Sequence, residues 1–216
     1  SLIINFGTMH PKNIIQAGTP LADAKKALIL IHGRGGDAKD ILSIARHLEV
    51  SGFALLAPEA ENKTWYPYSF MADPNRNEPW LNSALNILKG TVEDIIAQGI
   101  SAEHIYLLGF SQGACLTLEF AARNPRRYGG VIAFTGGLIG DRIEVNNYKG
   151  DFKNSHVFIG TSDPDIHVPT ERVRETSRIL KTMHADVLEQ IYPEMGHTIT
   201  TEELRQSNEH VFRRFL

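Results

Sequence analysis

A single cysteine, Cys115, stands among 216 residues. One thiol excludes an intramolecular disulfide and fits a reducing, cytoplasmic setting. It falls on the apolar side of a helical stretch, where a free cysteine behaves as a small hydrophobe. Charge of one sign is missing too: 22 lysines and arginines stand against 25 aspartates and glutamates, for a net charge of −3. Without a basic field, no nucleic-acid partner is expected. No apolar run approaches the ~18 residues that a membrane-spanning helix requires, so no membrane span is expected. The opening stretch SLIINFGTMH lacks a basic segment followed by an apolar one, so no signal peptide is expected. Internal repeats, low-complexity tracts and Gly/Ser linkers are absent, and the length suits one domain, taken as 1–216. Neither H-E-x-x-H nor a cysteine–histidine cluster at ligand spacing occurs, so no metal is expected. The Walker and dinucleotide-binding glycine patterns are missing as well.

What the chain does contain is one pattern used again and again: a short apolar run, a turn of small or polar residues, then a helical stretch. KALILI (26–31), FALLAP (53–58), HIYLLGF (104–110), GGVIAFTGG (129–137), HVFIGTSD (156–163) and DVLEQIYP (186–193) read as strands. Helical spacing follows in 37–52, in 78–99 with Gly90 as a weak point, in 112–125, in 169–185 and in 200–216, where Thr200 or Thr201 is a candidate N-cap. Nearly continuous apolar strands are those of a parallel sheet covered on both faces. The alternation therefore predicts an α/β fold, a mostly parallel sheet flanked by helices on both faces. In such sheets the functional groups gather at the carboxyl ends of the strands.

Four strand ends carry unusual residues. IHGRGG (31–36) has three glycines in four positions and reads either as a plain turn or as one that brings backbone N–H groups to an anion. GFSQGA (109–114) fits G-x-S-x-G between a strand and a helix. That motif places a serine at the apex of a strained turn, with glycines where side chains would collide and the positive end of a helix dipole behind it. Ser111 is thus a candidate nucleophile. A serine hydroxyl needs a base, and the base an orienting acid, in the chain order Ser, Asp or Glu, His. GTSDPDIHVP (160–169) offers Asp163 and Asp165, and PEMGHTI (193–199) offers His197. The order is right, and every candidate lies just past a strand. His32 and His167 also invite attention, but the first precedes the serine and the second sits inside the acid loop. Structural or pocket-lining roles are expected for both.

Together LIHGRGG, GFSQGA, DIHVP and GHTI resemble the small carboxylesterase, (lyso)phospholipase and acyl-protein thioesterase family of serine α/β-hydrolases. The resemblance runs from about Ala27 to the C-terminus. It implies an α/β-hydrolase fold with minimal or no cap domain, and hydrolysis of carboxylic esters or thioesters without a cofactor. Carried onto this chain, it makes Ser111 the nucleophile, His197 the general base, and the backbone N–H groups of Arg34 and Gln112 the oxyanion hole. The acid loop departs from the family pattern by two extra residues. Counting back from Pro169 selects Asp165, while counting forward from Gly160 selects Asp163. Asp165 is preferred because it lies nearer the turn that starts the next helix.

TWYPYSFMADPNRNEPW (64–80) is aromatic, proline-containing and too irregular for a strand or helix. It either packs down as core or walls a substrate pocket, with Trp65, Phe70 and Trp80 as candidate lining. The function expected is hydrolysis of a small-molecule ester of short-to-medium acyl chain, with lysophospholipid or thioester as variants. A cyclic-ester, dienelactone-type hydrolase is the alternative, although those enzymes usually carry cysteine where this chain has Ser111. A non-catalytic ligand-binding homologue is the other rival. Such proteins typically lose the serine or histidine, and both are kept here.

Overall fold

The computed structural model describes residues 9–213. The signal-peptide expectation rests largely on residues outside that range, as does the last turn expected of the closing helix. In chain order the elements are β1 (Ile14–Gly18), β2 (Ala27–Ile31), α1 (Ala38–Leu42), β3 (Ala54–Pro58), α2 (Trp80–Ala97), β4 (Ile105–Phe110), α3 (Gln112–Arg123), β5 (Gly130–Phe134), β6 (His156–Asp163), α4 (Thr170–Thr182), β7 (Asp186–Pro193) and α5 (Thr201–Ser207). The strands form one seven-stranded sheet in the order β1-β3-β2-β4-β5-β6-β7. Every pairing is parallel except that of β1 with β3.

The apolar runs explain the layers. Successive side chains of a strand point to opposite faces. Ala27, Ile29 and Ile31 of β2 therefore enter one core with Leu88 of α2, Leu118 of α3 and Val173 of α4. Leu28 and Leu30 enter a second core with Ile41 of α1, partly buried Leu204 of α5, and Phe212. β4 divides in the same way, Ile105 and Leu107 against Tyr106 and Leu108. Each fully buried Leu or Ile contributes roughly 1.5–3 kcal/mol, so an uninterrupted apolar strand is what a sheet covered on both faces selects.

Three elements differ from expectation. β1 was not expected; it is an antiparallel edge strand with mostly exposed residues, and so lacks the apolar signature of its neighbours. The helix expected over 37–52 ends as an α-helix at Leu42 and continues as a tighter 3₁₀ turn, Ser43–His47. There the Ser43 hydroxyl donates to the Asp40 carbonyl at 2.6 Å, a local bond that competes with the helical ladder. The closing helix gives way to a π-helical turn over Asn208–Phe212. Thr200 is its N-cap, in a reciprocal capping box with Glu203. The segments between β3 and α2 and between β5 and β6 hold only short 3₁₀ turns, so no large cap domain covers the strand ends.

Candidate active site

Ser111 sits where β4 turns into α3, with φ 55° and ψ −118°. A non-glycine residue in that region costs about 1–3 kcal/mol and persists only where its surroundings enforce it. Here the Ser111 N–H donates to the Phe134 carbonyl of β5 at 2.9 Å, and the Ser111 carbonyl accepts from Cys115 N–H at 3.0 Å. The two motif glycines are required by close backbone approaches. A Cβ on Gly109 would lie 2.2 Å from the Gly113 carbonyl oxygen, and one on Gly113 would lie 2.2 Å from that of Ile31 and 2.4 Å from that of His32. Gly113 thus clears the end of β2, which lets α3 close against the sheet beneath the serine. Gly33 belongs to the same contact, since its missing Cβ would meet the Phe110 carbonyl at 3.0 Å and Ser111 Cβ at 3.4 Å.

His197 reaches Ser111 from the loop between β7 and α5. Its Nε2 is 2.7 Å from Ser111 Oγ. Its Nδ1 is 2.8 Å from Asp165 Oδ2. The Asp165 side chain is fully buried. Its other oxygen, Oδ1, accepts from the N–H groups of His167 and Val168, both at 2.8 Å. Burial alone would push the Asp165 pKa up, but the bond from His197 and the two backbone donors outweigh it and hold the carboxyl below its usual range. An ionised Asp165 fixes the proton of His197 on Nδ1, leaving Nε2 to accept from the serine hydroxyl. Asp163 stands apart from this line. Its backbone carbonyl accepts from Glu194 N–H at 3.0 Å, and its side chain is exposed. The sequence left two acids open; in the structure Asp165 is the one that meets His197.

The Gln112 N–H lies in the first turn of α3, where backbone donors have no carbonyl of their own helix to meet. Arg34 lies in the turn that Gly33 presses against Phe110 and Ser111. Both residues line one cavity of about 290 Å³ with Ser111 and His197. Their side chains have a second task that the sequence did not disclose. Gln112 Oε1 accepts from Trp65 N–H at 2.8 Å, and its Nε2 donates to the Tyr66 carbonyl at 2.9 Å. The Arg34 guanidinium donates to Thr64 Oγ1, the Pro67 carbonyl and the Tyr68 carbonyl at 2.8–3.1 Å. The residues beside the nucleophile therefore staple the aromatic segment over it.

That segment is both core and wall. Phe70 lines the cavity, with Tyr66, Phe110, Cys115, His167 and Val168. Trp65 and Trp80 do not. Trp65 is fully buried in the core, its indole N–H donating to the His32 carbonyl at 2.9 Å. Trp80 packs edge-on to His10, their rings 5.2 Å apart. Tyr66 was the aromatic to name, but which neighbours face the cavity depends on turns that composition does not encode. His32 is structural: Nδ1 donates to the Gly33 carbonyl at 2.8 Å, Nε2 accepts from Ala60 N–H at 3.0 Å, and burial lowers its pKa. His167 lines the cavity and stands edge-on to His197 at 5.0 Å. Burial pushes the Cys115 thiol up to about 12, which makes it an inert lining group.

Among the described residues, one set with the chemistry of metal ligands lies elsewhere. His156, Asp186 and His210 place ligand atoms within 4.8 Å of one another. His156 and Asp186 begin β6 and β7, at the end of the sheet opposite Ser111. His156 Nδ1 already bonds Asp186 Oδ2 at 2.6 Å, and His210 Nε2 donates to the Asp186 carbonyl at 3.1 Å. No ligand spacing announced this set, because its members come from three separate elements. No helix among the described residues is long and apolar enough to cross a membrane.

Comparison with known proteins places this geometry among hydrolases. A family model described as phospholipase/carboxylesterase matches residues 12–213. Acyl-protein thioesterase 1 of Kluyveromyces lactis is 26% identical over 215 residues, covering 90% of this chain and 94% of the relative. A crystal structure of a phospholipase/carboxylesterase from Dyadobacter fermentans is 52% identical with a TM-score of 0.94, covering 95% of this chain and 98% of the other. The crystal structure of SOBER1 from Arabidopsis thaliana shares the fold, with a TM-score of 0.71 at 21% identity, covering 89% of this chain and all of that one (100%).

Proposed function

The chain belongs to the phospholipase/carboxylesterase family, and from that premise we propose that it hydrolyses carboxylic esters of short-to-medium acyl chain through an acyl-enzyme on Ser111. One observation carries the reading: the unbroken line from Ser111 Oγ to His197 Nε2 at 2.7 Å and from His197 Nδ1 to buried Asp165 at 2.8 Å. Ser111 attacks the carbonyl as His197 takes its proton. The same imidazolium, steadied by Asp165, then gives that proton to the leaving alkoxide. The N–H groups of Arg34 and Gln112 receive the developing oxyanion, where one donor contributes about 2.7–4 kcal/mol. Water, activated by His197, releases the acyl group. A thioester carbonyl would follow the same course. Two features support the acyl length: a cavity of about 290 Å³, and an aromatic lining from Tyr66, Phe70 and Phe110. The single, buried Cys115 supports a cytoplasmic setting.

The test is hydrolysis of p-nitrophenyl esters from acetate to decanoate. Wild type should peak at short chains, and Ser111→Ala should lose roughly 10³–10⁶ in kcat while keeping its fold. A Ser111→Ala protein that turns over near the wild-type rate rejects the assignment.

A further inference from the structure

Among the described residues, no aspartate or glutamate lines the cavity that holds Ser111, whereas two basic side chains besides His197 do: Arg34 and His167. His167 is exposed, and neither of its ring nitrogens has a hydrogen-bond partner among the described residues. Its place is fixed all the same. Its backbone N–H donates to Asp165 Oδ1 at 2.8 Å, and its ring stands edge-on to that of His197 at 5.0 Å. Either tautomer of an imidazole carries one N–H to donate.

Arg34 is exposed as well. A guanidinium has five N–H donors. Arg34 uses three, on Thr64 Oγ1 and the carbonyls of Pro67 and Tyr68. All three acceptors are neutral, and no carboxylate pairs with Arg34 among the described residues. The bonds hold the charge in place before a substrate arrives and leave Nε–H and one Nη2 N–H to a newcomer. The charge also reaches the cavity: burial raises the pKa of the Tyr66 phenol, and Arg34 opposes that rise. Asp165 does not cancel it. Asp165 is absent from the lining, and its oxygens are met by His197 and two backbone N–H groups.

A cleft lined by one sign of charge concentrates ligands of the other. A carboxylate entering this one gains charge-assisted hydrogen bonds without displacing a partner inside the protein. A neutral ester of the same shape gains no ion pair. The Arg34 charge would also favour the oxyanion of any ester, but that contribution is common to charged and neutral substrates and cancels in a comparison of the two.

Resting on the hydrolase reading above, we propose that Arg34 and His167 are specificity determinants: the enzyme selects small esters that carry a free carboxylate, and these two side chains bind it. The carboxylate sits either on the alcohol part, which departs beside His197 and hence beside His167, or on the acyl part.

The experiment follows hydrolysis by pH-stat for two isosteric pairs, monomethyl succinate with methyl succinamate and acetoxyacetate with acetoxyacetamide, with p-nitrophenyl acetate as reference. Members of a pair differ by a carboxylate against a carboxamide, on the acyl side in the first and on the alcohol side in the second. The readout is the ratio of kcat/KM within each pair for wild type, Arg34→Gln, Arg34→Lys and His167→Phe, so a general loss of activity cancels. Wild type should favour the carboxylate by about tenfold in one pair, and that pair tells which part carries it. Added salt should shrink the preference. Arg34→Gln should bring the ratio close to one, and Arg34→Lys, which keeps the charge but not the fork, should fall between. His167→Phe keeps a ring against His197 but removes the N–H, and should lower the ratio. If Arg34→Gln loosens the aromatic segment, the salt dependence of wild type and His167→Phe still decide. Turnover of p-nitrophenyl acetate with no preference for a carboxylate in either pair overturns this proposal and leaves the hydrolase reading standing. So does a preference that salt does not move, or one that Arg34→Gln and His167→Phe both leave unchanged. Absence of turnover on every ester, the reference included, by folded wild type removes the hydrolase reading and this proposal with it.

Discussion

Ser111 and His197 meet at 2.7 Å, but the two sides of the site bring them there by different means. On the β2–β4 side the geometry is enforced by backbone pressed against backbone. Gly109, Gly113 and Gly33 each leave room for a carbonyl that a Cβ would strike. On the β6–β7 side it is held by side-chain hydrogen bonds on two loops. Asp165 spans from two backbone donors to His197, and the Gly196 N–H donates to Ser162 Oγ at 3.1 Å. Steric constraint admits one residue type and so leaves a motif in the sequence. A hydrogen-bonded loop can be built in several registers and leaves only candidates.

The largest expected effect tests the hydrogen-bonded side. In Asp165→Asn, Oδ1 can keep its two backbone donors, but the new NH₂ faces His197 Nδ1. The imidazole must then turn to the other tautomer and can no longer accept the serine proton. Loss in kcat should be roughly 10⁴-fold. Asp163→Asn should stay close to wild type, since the contact made there is through the backbone. Esterase rates of the two variants decide the matter, and the reverse order would mean that the acid loop is built in the other register.

The contrast also accounts for what could be read beforehand. G-x-S-x-G after a strand located Ser111 because no other arrangement needs those glycines. The strands were legible because burial on both faces demands uniform apolarity. β1 was not, because an edge strand with exposed residues has no such demand. Asp163 and Asp165 were inseparable without the resemblance, being two positions apart on one loop. Trp65 and Tyr66 are adjacent and both aromatic. Both are buried in the core, but only Tyr66 also lines the cavity, and the backbone of both is held by Gln112, far away in sequence. The set His156, Asp186 and His210 was invisible for the same reason.

The backbone-pressed side is sharpened by Gly113→Ala. The new Cβ would meet the carbonyls of Ile31 and His32 at 2.2 and 2.4 Å, and neither is the end of a flexible side chain. Overpacking of this kind should destabilise by about 3 kcal/mol, with more if the central strand cannot move. Urea unfolding measures it, and a wild-type midpoint would show that the close approach is not needed.

A smaller effect should distinguish the two sides by pH. Glu203 is buried at the start of α5, where its Oε1 accepts from Thr200 N–H at 3.1 Å. Its Oε2 lies where a Cβ on Gly160 of β6 would fall, 2.3 Å away. Burial pushes its pKa up to about 7, against the opposing bonds from Thr200. The folded protein therefore holds a proton that the unfolded chain releases near the ordinary value of 4.5. The resulting stabilisation is fully present below that value and is lost as pH rises through about 7. Glu203→Gln does not titrate, so its stability relative to wild type should improve between pH 5 and pH 8 by about 1–3 kcal/mol. Buried His10 and His32, with lowered pKa values, are common to both proteins and cancel in the difference. Parallel stability curves would sink the idea that an ionisable group lies buried beneath the acid–base loops with one carboxylate oxygen unpartnered.

The smallest effect is a glycine that carries none of this constraint. Gly90 lies inside α2, away from the site, and a Cβ added there meets nothing within 4 Å. It has no positive φ to preserve and no carbonyl to clear. Only the entropic cost of glycine in a helix remains. Gly90→Ala should therefore stabilise the protein by about 0.5–1 kcal/mol, a rise of roughly 1–4 °C in Tm, with kcat/KM unchanged. Set beside Gly113→Ala, the same substitution should carry opposite signs at two helical glycines, so the sign depends on the backbone opposite rather than on helix propensity. A loss of stability at Gly90 would mean that α2 needs its flexibility there, and the distinction between glycines that clear a carbonyl and glycines that do not would fail at its simplest case.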